Sequence, residues 1–166
     1  MGINKQRIQN LKTLKKGISE KTTYLILLII LAIVTVGLNI NTVKNYYNLD
    51  DFHIARNNPD FEQGIKAIPG IFITQYSSEE DKSYGYRPLN RSSFAIEYQF
   101  FGKNPYISHF FNVLFYLAII LLLYKILRRL LRDYHYLFPF IITLLFAAHP
   151  IHTEVVASLK NRDELI

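Results

Sequence analysis

The sequence predicts an all-α membrane protein: three transmembrane helices and a long outer loop that carries short helices. Three stretches of the chain, 22–43, 104–124 and 134–153, contain no Asp, Glu, Lys or Arg. A helix of about 20 apolar residues crosses the roughly 30 Å hydrocarbon core of a bilayer, so each stretch is long enough to span it. Half of the 166 residues are hydrophobic, and none is cysteine. The composition therefore excludes a disulfide framework and thiolate chemistry.

The first transmembrane helix is predicted over residues 22–43, after a basic arm at 1–21. A signal peptide is the competing interpretation, because a basic segment precedes an apolar one. The apolar run from Tyr24 to Ile40 is longer than the usual signal-peptide core, and no small-x-small cleavage motif follows it. The pattern favours an uncleaved span.

Basic residues predict the orientation of the chain. The arm carries six Lys and Arg residues, and four more lie at the end of the second span and in the short segment after it (Lys125, Arg128, Arg129 and Arg132). The stretch 41–103 carries seven basic and eight acidic residues. By the positive-inside rule, the N-terminus and the loop 128–133 are cytoplasmic, and the loop 44–104 lies in a periplasm or lumen. We expect a bacterial inner membrane or an endoplasmic reticulum membrane. The net charge of +6 then reflects topology and anionic lipid, with no nucleic-acid partner.

The second and third spans are predicted over 105–127 and 134–149. His109 and Asn112 share one helix face near the outer end of the second span. Polar groups at that depth face protein or a water-filled cavity, although solvation at the interface is an alternative. The third span should end at His149-Pro150, because proline lacks the backbone donor and disfavours helix at the residue before it. Residues 150–166 are predicted to form an outer interfacial helix, truncated at the end of the sequence.

Chemistry is expected mainly in the outer loop. The adjacent carboxylates of Asp50 and Asp51 suit a divalent cation or a shared proton, although a turn or helix cap is the common role of such a pair. Tyr86, Arg87 and Arg91 form a second cluster. Guanidinium groups recognise phosphate with two parallel hydrogen bonds, so this cluster suits a phosphate at the lipid surface. Ordinary contact with lipid headgroups remains an alternative.

A zinc site is a further hypothesis for the segment His149 to Glu154. His149 and His152 are three residues apart and would converge on a helix, but Glu154 lies on another face. The spacing also differs from the HExxH pattern of zinc hydrolases. The residues favour hydrogen bonding to the loop or to a bound phosphate.

The order of motifs resembles a known family. An outer Asp-Asp is followed by Asn-Asn-Pro-Asp (57–60), Tyr-Arg-Pro-Leu (86–89) and His-Phe-Phe-Asn (109–112). The sequence ends with HPIHTEVVASLKNRDELI (149–166), which is the most specific of these motifs. This order is similar to the N-terminal part of the transmembrane and tetratricopeptide repeat-containing proteins, membrane glycosyltransferases of the GT-C type. The resemblance covers roughly residues 22–166.

The resemblance implies transfer of a sugar such as mannose from a polyprenyl-phosphate donor to a protein serine or threonine, on the outer face of the bilayer. Asp50 and Asp51 match the position of the acidic base or metal ligand, so a divalent metal is a candidate cofactor. The implied donor-phosphate residues are Arg87, Arg91, His149, His152 and Arg162, supported by Tyr86, His109, Asn112 and Glu154. The family's further spans and repeats do not appear here, so this part is expected to be inactive alone. Two alternatives are a non-catalytic repeat scaffold and a carrier-lipid binding protein.

Overall fold

The computed structural model describes residues 19–48, 51, 59–74, 77–79, 82–83 and 86–166. The helices associated with the membrane are α1 (Glu20–Asn39, continued by a 3-10 turn at Ile40–Lys44), α5 (Pro105–Leu130), α6 (Leu137–Ala147) and α7 (Ile151–Ala157). The long loop contains α2 (Pro59–Glu62), a 3-10 turn (Gly64–Ala67), α3 (Ile68–Ile71), the short antiparallel strands β1 (Ser77–Glu79) and β2 (Lys82–Ser83), and α4 (Pro88–Phe101). A 3-10 turn at Lys160–Glu164 follows α7.

Among the described residues, two helices are long and apolar enough to cross a membrane: Glu20–Lys44, of 25 residues, and Pro105–Leu130, of 26 residues. Helices α6 and α7 together pass the same test as a pair bent by 62°, so the number of spans is two or three. The predicted fold class, an all-α membrane protein, is confirmed, with the small β-hairpin as an addition. Helix α5 continues three residues past the predicted end at 127, and its last turn carries two arginines that suit the negative helix terminus.

The bend in the third apolar stretch lies at Pro150, where the missing backbone donor predicts it. Helix α6 ends at Ala147 and α7 begins at Ile151. The Ile151 N–H donates to the His149 Nδ1 at 3.3 Å. The Tyr116 hydroxyl of α5 donates to the Ala147 carbonyl at 3.2 Å, which pairs one of the carbonyls left open at the end of α6.

Two apolar cores stabilise the described part of the chain. One lies between the membrane helices and contains Leu27, Leu31, Val113, Tyr116, Ile120, Tyr124, Ala147, Val156 and Leu165. The other lies in the folded loop and contains Tyr47, Phe61, Ala67, Ile71, Phe94, Ala95 and Leu159. Leu159 follows α7, so the loop packs against the segment after the bend. We call the end of the membrane helices that carries this loop the loop face.

A glycine turn places α4 against the start of α5. Gly102 adopts φ 64° and ψ −162°, a region that is essentially reserved for glycine. Helix α5 then begins at Pro105, and the Asn104 side chain accepts the Tyr106 N–H at 3.1 Å as an N-cap. The turn brings two helices with polar inner faces together at the loop face.

Candidate functional site at the loop face

Asp51 joins two distant parts of the chain at the loop face. Its side chain is fully buried, and its two oxygens accept different backbone donors. The Asn48 N–H donates to Oδ2 at 3.0 Å, and the Lys160 N–H donates to Oδ1 at 3.0 Å. Asp51 therefore links the segment after α1 to the 3-10 turn after α7. Asp50 lies outside the described residues.

A polar depression of about 390 Å³ opens beside this junction. One wall is the segment after α1 and the other is α7; the lining residues are Asn45, Tyr46, Tyr47, Asn48, Glu154, Ala157 and Ser158. Asn48 also donates its N–H to Asp51, so the buried carboxylate lies directly behind this wall. Glu154 is exposed and contributes a second carboxylate. Amide, hydroxyl and carboxylate groups of this kind suit a ligand rich in hydroxyls.

Arg162 is an internal crosslink between α4, α5 and the C-terminal turn. The side chain has no exposed surface, and its Nε donates to the Asn112 Oδ1 at 2.7 Å. Its Nη1 donates to the Glu97 carboxylate at 2.5 Å, and its Nη2 donates to the Ser108 carbonyl at 2.7 Å. The guanidinium also lies 3.8 Å from the centre of the Phe94 ring. Each guanidinium nitrogen thus donates to a group within the protein, an arrangement that favours a structural role over the predicted contact with a donor phosphate.

Burial shifts the pKa values of Glu97 and Arg162 in opposite directions, and their ion pair opposes both shifts. Burial raises the pKa of Glu97, and this effect is opposed by the charge of Arg162 and by a hydrogen bond from the Ser108 hydroxyl. Burial lowers the pKa of Arg162, and the Glu97 carboxylate opposes that change. The pair is thus held together by mutual neutralisation in a site that disfavours either charge alone.

Asn112 connects the second span to the segment after the bend. It is fully buried, and its Nδ2 donates to the carbonyls of Val156 and Ser158, each at 3.2 Å. Its Oδ1 accepts from Arg162. All of these partners are protein groups, so Asn112 faces protein rather than a solvated interface.

His109, on the same face of α5, is also fully buried. Among the described residues, neither of its ring nitrogens has a hydrogen-bond partner. The backbone of Tyr46 and the carboxylate of Asp51 lie near the ring. The structure therefore brings together His109, Asn112, Asp51 and Arg162, four of the residues that the sequence singled out.

Arg87 and Tyr86 lie at the protein surface. The Arg87 Nη1 pairs with the Asp163 Oδ2 at 2.9 Å, and 41% of the Arg87 side chain is exposed. Tyr86 is exposed and donates its hydroxyl to the Phe72 carbonyl at 2.8 Å. Arg87 therefore presents a guanidinium that a solvent-borne or lipid-borne phosphate can reach.

Arg91 occupies a different environment from Arg87, although both belong to the same sequence cluster. It is 5% exposed, and its Nη1 donates to the Thr74 carbonyl at 2.8 Å. This contact fixes the start of α4 to the turn after α3. The two arginines are not presented together as one exposed site.

The two histidines near the bend do not converge with Glu154 on one point. The exposed His149 accepts the Ile151 N–H through Nδ1, while the His152 ring packs on Phe146 with 4.2 Å between ring centres. Within the described part of the chain, no group of three His, Cys, Asp or Glu side chains is arranged to hold a metal. The hypothesis of a metal at Asp50 and Asp51 stays a prediction, because Asp50 lies outside that part.

Glu97, Ser93 and Ser108 complete the Arg162 crosslink and were not anticipated. Glu97 lies three residues after Phe94, and the two share a face of α4 that is buried in the structure. A carboxylate on such a face needs a partner, and this was the available signal in the sequence. The partner, Arg162, lies 65 residues away in the sequence, so no local pattern identifies it.

Comparison with known proteins identifies the class. The chain is 31% identical to protein O-mannosyl-transferase TMTC1 of Homo sapiens over 122 residues, which are 70% of this chain and 14% of that protein. It is 30% identical to protein O-mannosyl-transferase TMTC2 of Mus musculus over 139 residues, 78% of this chain and 16% of that protein. It is 28% identical to protein O-mannosyl-transferase F38B6.6 of Caenorhabditis elegans over 159 residues, 92% of this chain and 22% of that protein. No protein-family model and no solved structure matches.

These similarities and the helical membrane fold define an integral membrane protein related to glycosyltransferases. The chain belongs to the transmembrane and tetratricopeptide repeat-containing protein family, which confirms the resemblance stated from the motifs. The matched region amounts to 14% and 16% of the length of the first two relatives.

Proposed function

We propose that this chain forms the first part of an integral membrane glycosyltransferase. The enzyme moves mannose from a polyprenyl-phosphate donor to a serine or threonine hydroxyl of a protein. The reaction takes place at the loop face, which the distribution of basic residues predicts to be the periplasmic or lumenal side.

The junction at Asp51 is the observation that carries this proposal. It lies where the first outer segment meets the segment after the bend, and a polar depression opens beside it. The relatives are named protein O-mannosyl-transferases, which supports the reaction class. Both parts of the junction belong to motifs on which the family resemblance depends.

We assign different roles to the two adjacent aspartates. Asp51 accepts two backbone hydrogen bonds and is buried, so its proposed role is to fix the position of the preceding residue. Asp50 is the proposed general base. The acceptor oxygen attacks the anomeric carbon, the bond from that carbon to the phosphate oxygen breaks, the phosphate leaves with the electron pair, and the hydroxyl proton passes to Asp50.

The donor phosphate needs a cation near its developing charge. Arg87 is the proposed residue, because 41% of its side chain is exposed and its ion pair with Asp163 is partly open to solvent. Arg91 and Arg162 are buried and donate to protein groups, so we assign them to the support of the site. His149 is exposed and adds a hydrogen-bonding side chain just before α7.

The burial of Asp51 and Arg162 also favours a second candidate, a non-catalytic membrane scaffold. In a scaffold, both residues would serve packing alone. The two candidates differ in the role of Asp50, since only the enzyme needs a carboxylate there.

The test uses the full-length protein in nanodiscs, supplied with radiolabelled polyprenyl-phosphate mannose and a pool of Ser/Thr peptides. Asp50→Asn is compared with Asp133→Asn, a matched change at an exposed carboxylate on the opposite face. We expect label in the peptides with wild type and with Asp133→Asn, and at least a roughly 100-fold loss with Asp50→Asn. Equal transfer by all three proteins would refute the role of Asp50. No transfer by a correctly folded wild type, with mannose or other donor sugars, would favour the scaffold.

A further inference from the structure

A second cavity, of about 930 Å³, lies at the end of the membrane helices opposite the loop face. It is formed where α1 begins, α5 ends and α6 begins. Arg128, Arg132 and His135 contribute polar groups to its lining. None of these residues belongs to the site proposed for glycosyl transfer, so the cavity needs a separate explanation.

Arg128 is held in a fixed orientation by aromatic stacking. Its guanidinium carbon lies 4.3 Å from the centre of the Tyr24 ring. Tyr24 is itself stacked on Tyr124, with 5.6 Å between ring centres and 20° between ring planes. Stacking occupies the face of a guanidinium and leaves its N–H groups free at the edge. Within the described part of the chain, no carboxylate forms an ion pair with Arg128.

Part of the lining is apolar and continues toward the membrane interior. Ile26 and Leu27 of α1 and Pro139 of α6 contribute to it. The cavity thus combines basic groups at the level of a helix end with hydrocarbon walls below them. That combination matches an amphipathic molecule with an anionic head, and headgroup phosphates lie at this depth in a bilayer.

We propose that this cavity binds an anionic membrane phospholipid, with Arg128 and Arg132 at its phosphate and its acyl chain along the apolar wall. Glu20 also lines the cavity, and the Arg132 Nε lies 3.8 Å from the Asp133 carboxylate. Among the described residues, Arg128 is therefore the arginine of the lining whose charge no ion pair neutralises. The basic residues of the arm 1–21 and those at and just after the end of α5 predict that this end is cytoplasmic, the side where anionic lipids are enriched. The lipid would fix the start of α1 to the end of α5. This inference does not depend on the proposed transferase activity.

Native mass spectrometry of the full chain in neutral detergent tests the proposal. The protein is titrated with phosphatidylglycerol and, separately, with phosphatidylcholine. Wild type should bind phosphatidylglycerol more tightly, and Arg128→Gln should weaken that binding about tenfold, the effect of losing one charge-assisted hydrogen bond. Arg129→Gln is the matched control, because Arg129 is an exposed neighbour that does not line the cavity. We expect the control to change affinity by less than about twofold, as a peripheral charge contributes little.

Arg132→Gln is a second test variant in case Arg128→Gln fails to fold. The Arg132 side chain is 81% exposed, so its replacement leaves the packed structure intact. It too should weaken phosphatidylglycerol binding more than the control does. Equal weakening by a cavity variant and by Arg129→Gln would show diffuse attraction and overturn the proposal. Equal binding of the two lipids by wild type would also overturn it.

Discussion

Replacing Arg162 by methionine should destabilise the chain more than any surface change. The substitution keeps a long apolar stem and removes all the donors of the guanidinium. It leaves the Glu97 carboxylate buried without its counter-ion, and it leaves the Asn112 Oδ1 and the Ser108 carbonyl without their donor. The crosslink between α4, α5 and the C-terminal turn is thereby lost.

The size of the effect follows from the burial of the pair. Removing one partner of a buried ion pair costs about 3–5 kcal/mol, because the other charge remains desolvated. For a chain of this length that corresponds to a decrease of about 10 °C in the melting temperature. Arg162→Lys should fall between wild type and Arg162→Met, because a single ammonium cannot serve three separated acceptors.

Thermal unfolding in detergent, followed by circular dichroism, measures this loss. Arg87→Met is the matched control, since its ion pair with Asp163 is partly exposed and contributes about 1 kcal/mol. The double variant Arg162→Met with Glu97→Gln removes the stranded charge. It should be more stable than Arg162→Met alone by about 2 kcal/mol. The reasoning is refuted if the single and double variants unfold together, or if Arg162→Met costs no more than Arg87→Met.

Two further predictions concern backbone strain and pH. Gly64→Ala should lower the free energy of unfolding by about 1–2 kcal/mol, because Gly64 has φ 59°, which is unfavourable for a residue with a Cβ. The control Gly37→Ala lies in a helix with open space around it and should not lower the stability. Equal losses of stability in thermal unfolding of the two variants would contradict this account. The raised pKa of Glu97 means that its contribution to stability is fully present below its ordinary value of 4.5 and is lost as the pH rises through the higher folded value. Wild type should therefore lose stability relative to Glu97→Gln across that window, and a gain would contradict the assignment.

The membrane helices were predictable because their signal is local. A long uninterrupted apolar run predicts a membrane-spanning helix without information about the rest of the chain, so α1 and α5 were predicted from the sequence. The bend was predictable at Pro150 for the same reason, since a missing donor acts on its own backbone. The interfacial histidine and asparagine of α5 could be placed on one face, although only the structure shows that both are buried.

The contacts of the candidate site were not predictable, because they join residues that are distant in sequence. Asp51 meets the backbone of Lys160 across 109 positions, and Arg162 meets Glu97 across 65. The residue type of Arg162 indicated that it binds an anionic group but did not indicate which group. An arginine suits a phosphate and a buried carboxylate equally well, and only the packing of α4 on α5 distinguishes the two.

Mannose transfer by the single variants Asp50→Asn and Asp51→Asn tests the central claim most directly. Both mannose transfer and the melting temperature are measured for each variant in nanodiscs. The two substituted residues are adjacent in the same segment. The account predicts that Asp50→Asn loses transfer at least about 100-fold with an unchanged melting temperature. Asp51→Asn should lower the melting temperature, because an amide nitrogen replaces one of two oxygens that accept backbone N–H groups. Full transfer by Asp50→Asn would contradict the account.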